Sequence, residues 1–113
     1  MSDYIRSEVI ELLKILSDET RLAIINSIHT RNRSSSELQK ELDKSQATIS
    51  KHLSILEKSN LVKSNKKGRV KFYQPKNQRI FKLLSNITKF ILRQKKDERD
   101  RIEDMKIHDT LNY

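Results

Sequence analysis

The chain has 113 residues, one Gly, one Pro, no Cys and a formal net charge of +9. This length suits one domain with a modest core, and the missing cysteines exclude disulfides, thiolate metal sites and a cysteine nucleophile. No window of about 18 apolar residues exists, which excludes a membrane-spanning helix, and the acidic start "MSDYIRSEVIELL" lacks a cleavable apolar core, so a cytoplasmic protein is expected.

Ile5, Val9, Leu12, Leu13 and Leu16 recur at helical spacing and predict a first helix over 4–16. Ser17 or Asp18 can cap a second helix over 18–29, with Leu22, Ile25 and Ile28 on one stripe. "TRNRSSS" breaks the pattern. Ser34 and Glu37 then fit a capping box opening a short third helix over 35–42, with Leu38 and Leu42 facing inward. After "DK", Ser45 caps a fourth helix whose stripe is Ile49, Leu53 and Leu56. Gln46 sits on its first turn, and at 100° per residue Ala47, Thr48, Ser50, Lys51 and Ser54 fall outside. Asn60, which tolerates the left-handed conformation, ends it.

Residues 61–74 change period. Val70 and Phe72 alternate with Arg69, Lys71 and Tyr73, predicting a strand with one apolar and one basic face. "NKKG" supplies a turn, so a two-stranded hairpin is expected with Lys66, Lys67 and Arg69 at its tip and Pro75 at its close. From about 77 to 105 no Gly or Pro interrupts a last helix. Its heptad-like seam is Ile80, Leu84, Ile87 and Ile91, with Leu83 and Phe90 beside it.

The order is helix, helix, short helix, tight turn, capped helix, basic hairpin, helix. That is a winged helix-turn-helix, mainly α with a small β-hairpin, expected as a single domain over 1–113. Charge is segregated along it. The net charge is −2 over residues 1–43, +10 over 44–82 and +1 over 83–113. Concentrated positive charge attracts polyanions, chiefly nucleic acid or anionic lipid. A helix like the fourth fits the major groove, where each base pair shows its own donor–acceptor pattern. Ser45, at its start, can present backbone amides to a phosphate. The hairpin would bring Lys66, Lys67, Arg69 and Lys71 to the flanking backbone or minor groove.

"LKILSDETRLAIINSI" and "SSSELQKELDKSQATISKHLSILEKSNLVKSNKKGRVKFYQ" together resemble the ArsR-type, metalloregulator-like winged-helix transcription repressors, over residues 12 to about 85. The shared pieces are the "D-x-T-R-L-x-I" start of the second helix, the "S-Q-x-T-[IV]-S-x-H-L-x-x-L" recognition helix and the "LV…G-R…F-Y" wing. The resemblance implies a homodimer joined through the first and last helices, hence through Ile5, Val9 and Leu12 with Ile80, Leu84, Ile87 and Ile91. It also implies operator binding on double-stranded DNA. Metal- or arsenite-sensing members carry "C-V-C" where this chain has Ser34, Ser35 and Ser36. A hydroxyl cannot replace a thiolate for a soft metal. A second family metal site on the last helix is not reproduced by Asp104 and His108. No metal and no cofactor is expected, and no effector can be named.

Each feature also has a plainer reading. A polar helix face is by default only solvated; the turn before it, the basic wing after it and the local charge turn the fourth helix into a DNA-reading face. Base contacts are expected from Gln46, Thr48, Ser50 and Lys51, with Ala47 against a thymine methyl. His52, at the edge of the apolar stripe, is either a phosphate contact or a buried structural histidine. His29 at a helix end suits the helix dipole. His108 with Asp104 and Asp109 is a weak metal candidate. The wing lysines could serve only to discourage edge pairing, and Arg31, Asn32 and Arg33 are either backbone contacts or a solvated loop. The last helix is longer than so small a core can cover, which favours packing on a second copy. The leading function is a dimeric, sequence-specific repressor. The alternatives are a protein–protein module on the same fold and nonspecific, chromatin-like DNA binding. No carboxylate pair, nucleophile–base set or phosphate loop points to an enzyme.

Overall fold

A computed structural model describes residues 1–111, with side chains as far as Ile107. The chain divides into two compact units, Met1–Gln78 and the segment from Arg79 onward. The first contains α1 (Asp3–Leu16), α2 (Glu19–Thr30), β1 (Arg33–Ser34), α3 (Ser35–Leu42), α4 (Gln46–Lys58), β2 (Val62–Lys67) and β3 (Val70–Pro75). The second is one helix, α5 (Arg79–Leu111).

Local chemistry sets the helix boundaries. Ser2 caps α1, accepting the Ile5 amide at 3.2 Å. Of the two candidate caps for α2 it is Asp18 that serves, accepting the Arg21 amide at 3.0 Å. The capping box of α3 is complete. Ser34 Oγ accepts the Glu37 amide at 3.2 Å, and Glu37 accepts the Ser34 amide at 3.0 Å. Asp43 (φ 52°) and Asn60 (φ 60°) hold the left-handed conformation after α3 and α4. At each, the next residue's amide reaches back to close a Schellman motif, Lys44 to Gln39 O at 3.1 Å and Leu61 to Leu56 O at 3.0 Å.

The core of the first unit is Leu16, Ile24, Ile25, Ile28, Leu38, Ile49, Leu53, Leu56, Val62 and Tyr73, all below 9% exposed. It joins α2, α3 and α4 to the inner face of the sheet. The expected stripe of α2 is extended by Ile24, which is fully buried, while Leu22 is only half-buried.

The expected hairpin is present as β2 and β3; one strand is added to it, and one expectation is corrected. The sheet has three strands in the order β1-β3-β2, all antiparallel, because Arg33 and Ser34 pair with Tyr73 and Phe72. The faces of β3 are also reversed. Tyr73 is buried and Val70 is 46% exposed, so the inner face carries Tyr73 and the outer face Val70 and Phe72. A phenol ring near the strand's end reaches the core, whereas Val70 stands beside the turn, beyond the core's edge.

The helix α5 runs to Leu111, past the expected 105, with no Gly or Pro along it to stop it. Leu83, Ile87, Phe90, Ile91 and Leu92 on it are exposed. Among the described residues, no helix is long and apolar enough to cross a membrane.

Candidate nucleic-acid interface

The turn between α3 and α4 is Asp43, Lys44 and Ser45. Asp43 turns the chain in the left-handed region, and Ser45 restarts it as N-cap, accepting the Thr48 amide at 3.1 Å. The same Ser45 hydroxyl donates to Thr48 Oγ1 at 3.0 Å, so the Thr48 hydroxyl proton stays available for an outside acceptor. Gln46, Ala47, Ser50, Lys51 and Ser54 are exposed, and Thr48 is half-buried. No acid lies in the first turn of α4. Its free amides and positive dipole end therefore meet no competing carboxylate there. The one acid between residues 44 and 82, Glu57, is half-buried on the far part of the helix, where it accepts from Ser64 at 3.4 Å.

The hairpin closes through Gly68 and Arg69, with Lys67 opposite Val70. Gly68 takes φ 65°, which a side chain would strain. Lys66, Lys67, Arg69 and Lys71 are all exposed. Lys67 Nζ lies 5.9 Å from the Phe72 ring centroid, a loose cation–π contact that steadies one tip lysine.

All eleven residues expected to meet DNA lie on α4 with its cap or on the hairpin, but His52 does not face outward. It is 9% exposed, its Nδ1 lies 3.1 Å from Arg21 Nη1, and its Nε2 lies 4.0 Å from Asp18 Oδ1. Of its two readings the buried structural one fits, because the ring points from α4 toward the start of α2 and not outward. Burial, aided by the positive charges of Arg21, Lys51 and Lys44, holds its pKa below the ordinary 6.5 against the pull of Asp18.

The loop before α3 is tied down. Arg31 pairs with Glu37 at 2.6 Å, and Asn32 donates to Gln74 at 3.3 Å. Arg33 reaches Ser27 O, Thr30 Oγ1 and Glu41. Ser34 spends its hydroxyl on the cap of α3, so the position facing the family's first cysteine does structural work here. The side chains of His108 and Asp109 lie outside the described residues. Among the described residues no group of three His, Cys, Asp or Glu could hold a metal ion.

A short connected α2–α3–α4 unit with a polar, uncapped-by-acid reading helix and a basic wing is the DNA-binding part of a winged helix-turn-helix transcription regulator. Residues 18–64 match the model of the family described as bacterial regulatory protein, arsR family. The HTH-type transcriptional regulator KmtR of Mycobacterium tuberculosis is 30% identical over 76 residues, 67% of this chain and 58% of that protein. An uncharacterized HTH-type transcriptional regulator of Methanocaldococcus jannaschii is 35% identical over 75 residues, 66% of this chain and 84% of its own length. The crystal structure of M. tuberculosis Rv0081 superposes with a TM-score of 0.79 at 23% identity, over 86% of this chain and 98% of that one. The homodimeric winged helix-turn-helix DNA-binding domain Mb0332 of Mycobacterium bovis has a TM-score of 0.70 at 21% identity, over 83% and 93%. These two structures share the fold. The chain belongs to the arsR family of bacterial regulatory proteins, a family of DNA-binding regulators and not of enzymes. It spans only 58% of KmtR, so what that whole protein does is not carried over.

Proposed function

We propose that this chain is a sequence-specific, double-stranded DNA-binding transcription repressor, working in the cytoplasm as a homodimer on a pseudo-palindromic operator. The observation that supports it most is the pairing of an exposed, acid-free reading turn (Gln46, Ala47, Ser50, Lys51) with a basic wing tip. Gln46, Thr48, Ser50 and Lys51 offer donors and acceptors to base edges, and Ala47 offers a methyl to thymine. Ser45, Lys66, Lys67, Arg69 and Lys71 meet phosphates, which fix register without carrying sequence information. His52 is left out of the contact set.

The dimer is read from apolar surface. Ile5, Val9, Ile10 and Leu13 are exposed on α1, and Leu83, Ile87, Phe90 and Ile91 on α5. Patches of that kind on a small soluble chain mark an interaction site. The contact is assigned to Ile5, Val9 and Leu12 with Leu84, Ile87 and Ile91, which makes α5 a dimerisation helix continuing the domain; Ile80, expected on the same seam, is only 7% exposed and has little surface to offer. Two reading helices would then meet half-sites about one helical turn, roughly 10 bp, apart.

Selection of bound duplexes from a random pool tests this reading. A pseudo-palindrome should be enriched, and its affinity should fall steeply with salt as several phosphates are neutralised. Enrichment of no sequence would leave the nonspecific alternative. Loss of binding by neither Lys51→Ala nor a Lys67→Ala, Arg69→Ala pair would remove the reading face.

A further inference from the structure

Arg21 stands where three helices meet. Its backbone amide is held by the Asp18 cap of α2 at 3.0 Å. Its Nε donates to Ile15 O at 2.6 Å and its Nη2 to Lys14 O at 3.3 Å, two carbonyls at the end of α1. Its Nη1 lies 3.1 Å from His52 Nδ1, on the body of the reading helix. One side chain thus ties the end of α1, the start of α2 and the middle of α4, one residue beyond Lys51.

The chemistry of that tie is one-sided. A guanidinium has donors only, so His52 Nδ1 must supply a lone pair. The ring proton therefore sits on Nε2, which faces Asp18 Oδ1 at 4.0 Å. This arrangement exists only for the neutral ring. A proton added at Nδ1 removes the acceptor and sets a cation against a cation.

We propose that Arg21 is a positioning residue acting through His52: neutral His52 seats the reading helix against the α1–α2 corner, and protonation of its Nδ1 releases that seat and weakens operator binding. The inference rests on the DNA-binding reading above but makes its own claim, about a residue that does not touch DNA. The charged groups facing the ring are Asp18 and Arg21 on α2, Lys51 on its own helix and Lys44 in the turn. Asp18 alone favours the proton. Burial and the three cations oppose it, which keeps the ring neutral near pH 7 and places the release below the ordinary histidine range.

The sign separates this link from ordinary electrostatics. A histidine that gains charge near DNA strengthens binding as pH falls. Here binding weakens. Operator affinity of the full chain, measured by fluorescence anisotropy at constant ionic strength, should fall once pH drops below the ordinary histidine range, by at most about ten-fold per pH unit for each protomer engaged and so about a hundred-fold for a dimer, because one proton is linked per chain. In His52→Asn the amide oxygen stands near the place of Nδ1 and can accept from Arg21 without titrating. That variant should bind within about two-fold of the parent at pH 7.5, with its acid loss gone. Binding that strengthens or stays flat as pH falls in the parent, or an unchanged pH profile in His52→Asn, overturns the proposal. A second readout does not depend on any variant folding. If protonation weakens DNA binding, reciprocity requires DNA binding to lower the His52 pKa. NMR titration of the His52 ring, free and on any duplex that binds, should show that further fall. A pKa unchanged or raised by duplex overturns the link whether or not a preferred operator exists, whereas a duplex pool yielding no preferred sequence counts only against the sequence-specific reading.

Discussion

Lys66 and Lys71 stand directly opposite each other across the hairpin, one register step from its turn. Like charges facing across a ladder destabilise it by about 0.2–1 kcal/mol, and solvent reduces the effect because both are exposed. The tip thus holds a repulsion that a phosphate would relieve. Lys66→Ala should raise the unfolding midpoint of the free protein slightly at low salt. It should also weaken duplex binding and reduce the slope of log affinity against log salt by about 1 per protomer, about 2 for the dimer. Thermal melts and a salt titration together check this. A variant that loses stability and keeps its DNA affinity would show that the pair is not a phosphate site.

The features legible in the sequence are those made within three or four residues. Asp18, Ser34 and Ser45 were readable as caps because each accepts an amide three positions on. Asn60 was readable as a terminator because its own backbone preference decides the matter. What the sequence hid depends on distant partners. β1 has two residues, too few for any period, and exists only because Tyr73 and Phe72 pair with it. His52 turns inward toward an arginine 31 positions away. Alternation along β3 shows that its two faces differ and not which one meets the core.

Glu37 carries the clearest acid sensitivity. The Arg31 guanidinium at 2.6 Å, and then the Ser34 amide at 3.0 Å, hold its pKa down from the usual 4.5 to about 2. A carboxyl lowered on folding adds stability above its unfolded pKa, and that stability is lost as pH falls from about 4.5 toward 2. In Glu37→Gln the amide oxygen can still accept from Ser34, but the charge is gone. Its urea midpoint should be lower than the parent's near pH 6 and should converge with it near pH 2. A gap that stays constant across this range would mean that Glu37 acts through packing and not through its charge.

Asn60 closes the Schellman motif that separates the reading helix from the wing. With φ 60°, it tolerates a conformation that costs an ordinary L-residue about 1–2 kcal/mol. Asn60→Ala should therefore destabilise by about 1 kcal/mol in urea unfolding, while Asn60→Gly should stay within a few tenths, since glycine enters the left-handed region freely. Equal losses in both variants would place the role in the Asn side chain and not in the backbone angle.

The dimer reading makes the sharpest demand on α5. Ile87 and Ile91 are 37% and 46% exposed, four residues apart on the apolar seam. Ile102, on the charged part of the same helix, is 43% exposed and outside the assigned contact. A charge at Ile87 would have to be buried unpaired in a dimer, a cost of several kcal/mol, yet in an isolated chain it would meet water. Ile87→Asp should therefore halve the mass seen by sedimentation equilibrium while leaving the helical circular dichroism largely intact. Operator affinity should collapse with it, because two reading helices no longer act as one ligand. Ile102→Asp should change neither mass nor affinity. If Ile87→Asp sediments as the parent does, the seam is not where two copies meet. If the parent itself is monomeric and still binds a palindrome tightly, α5 has another task.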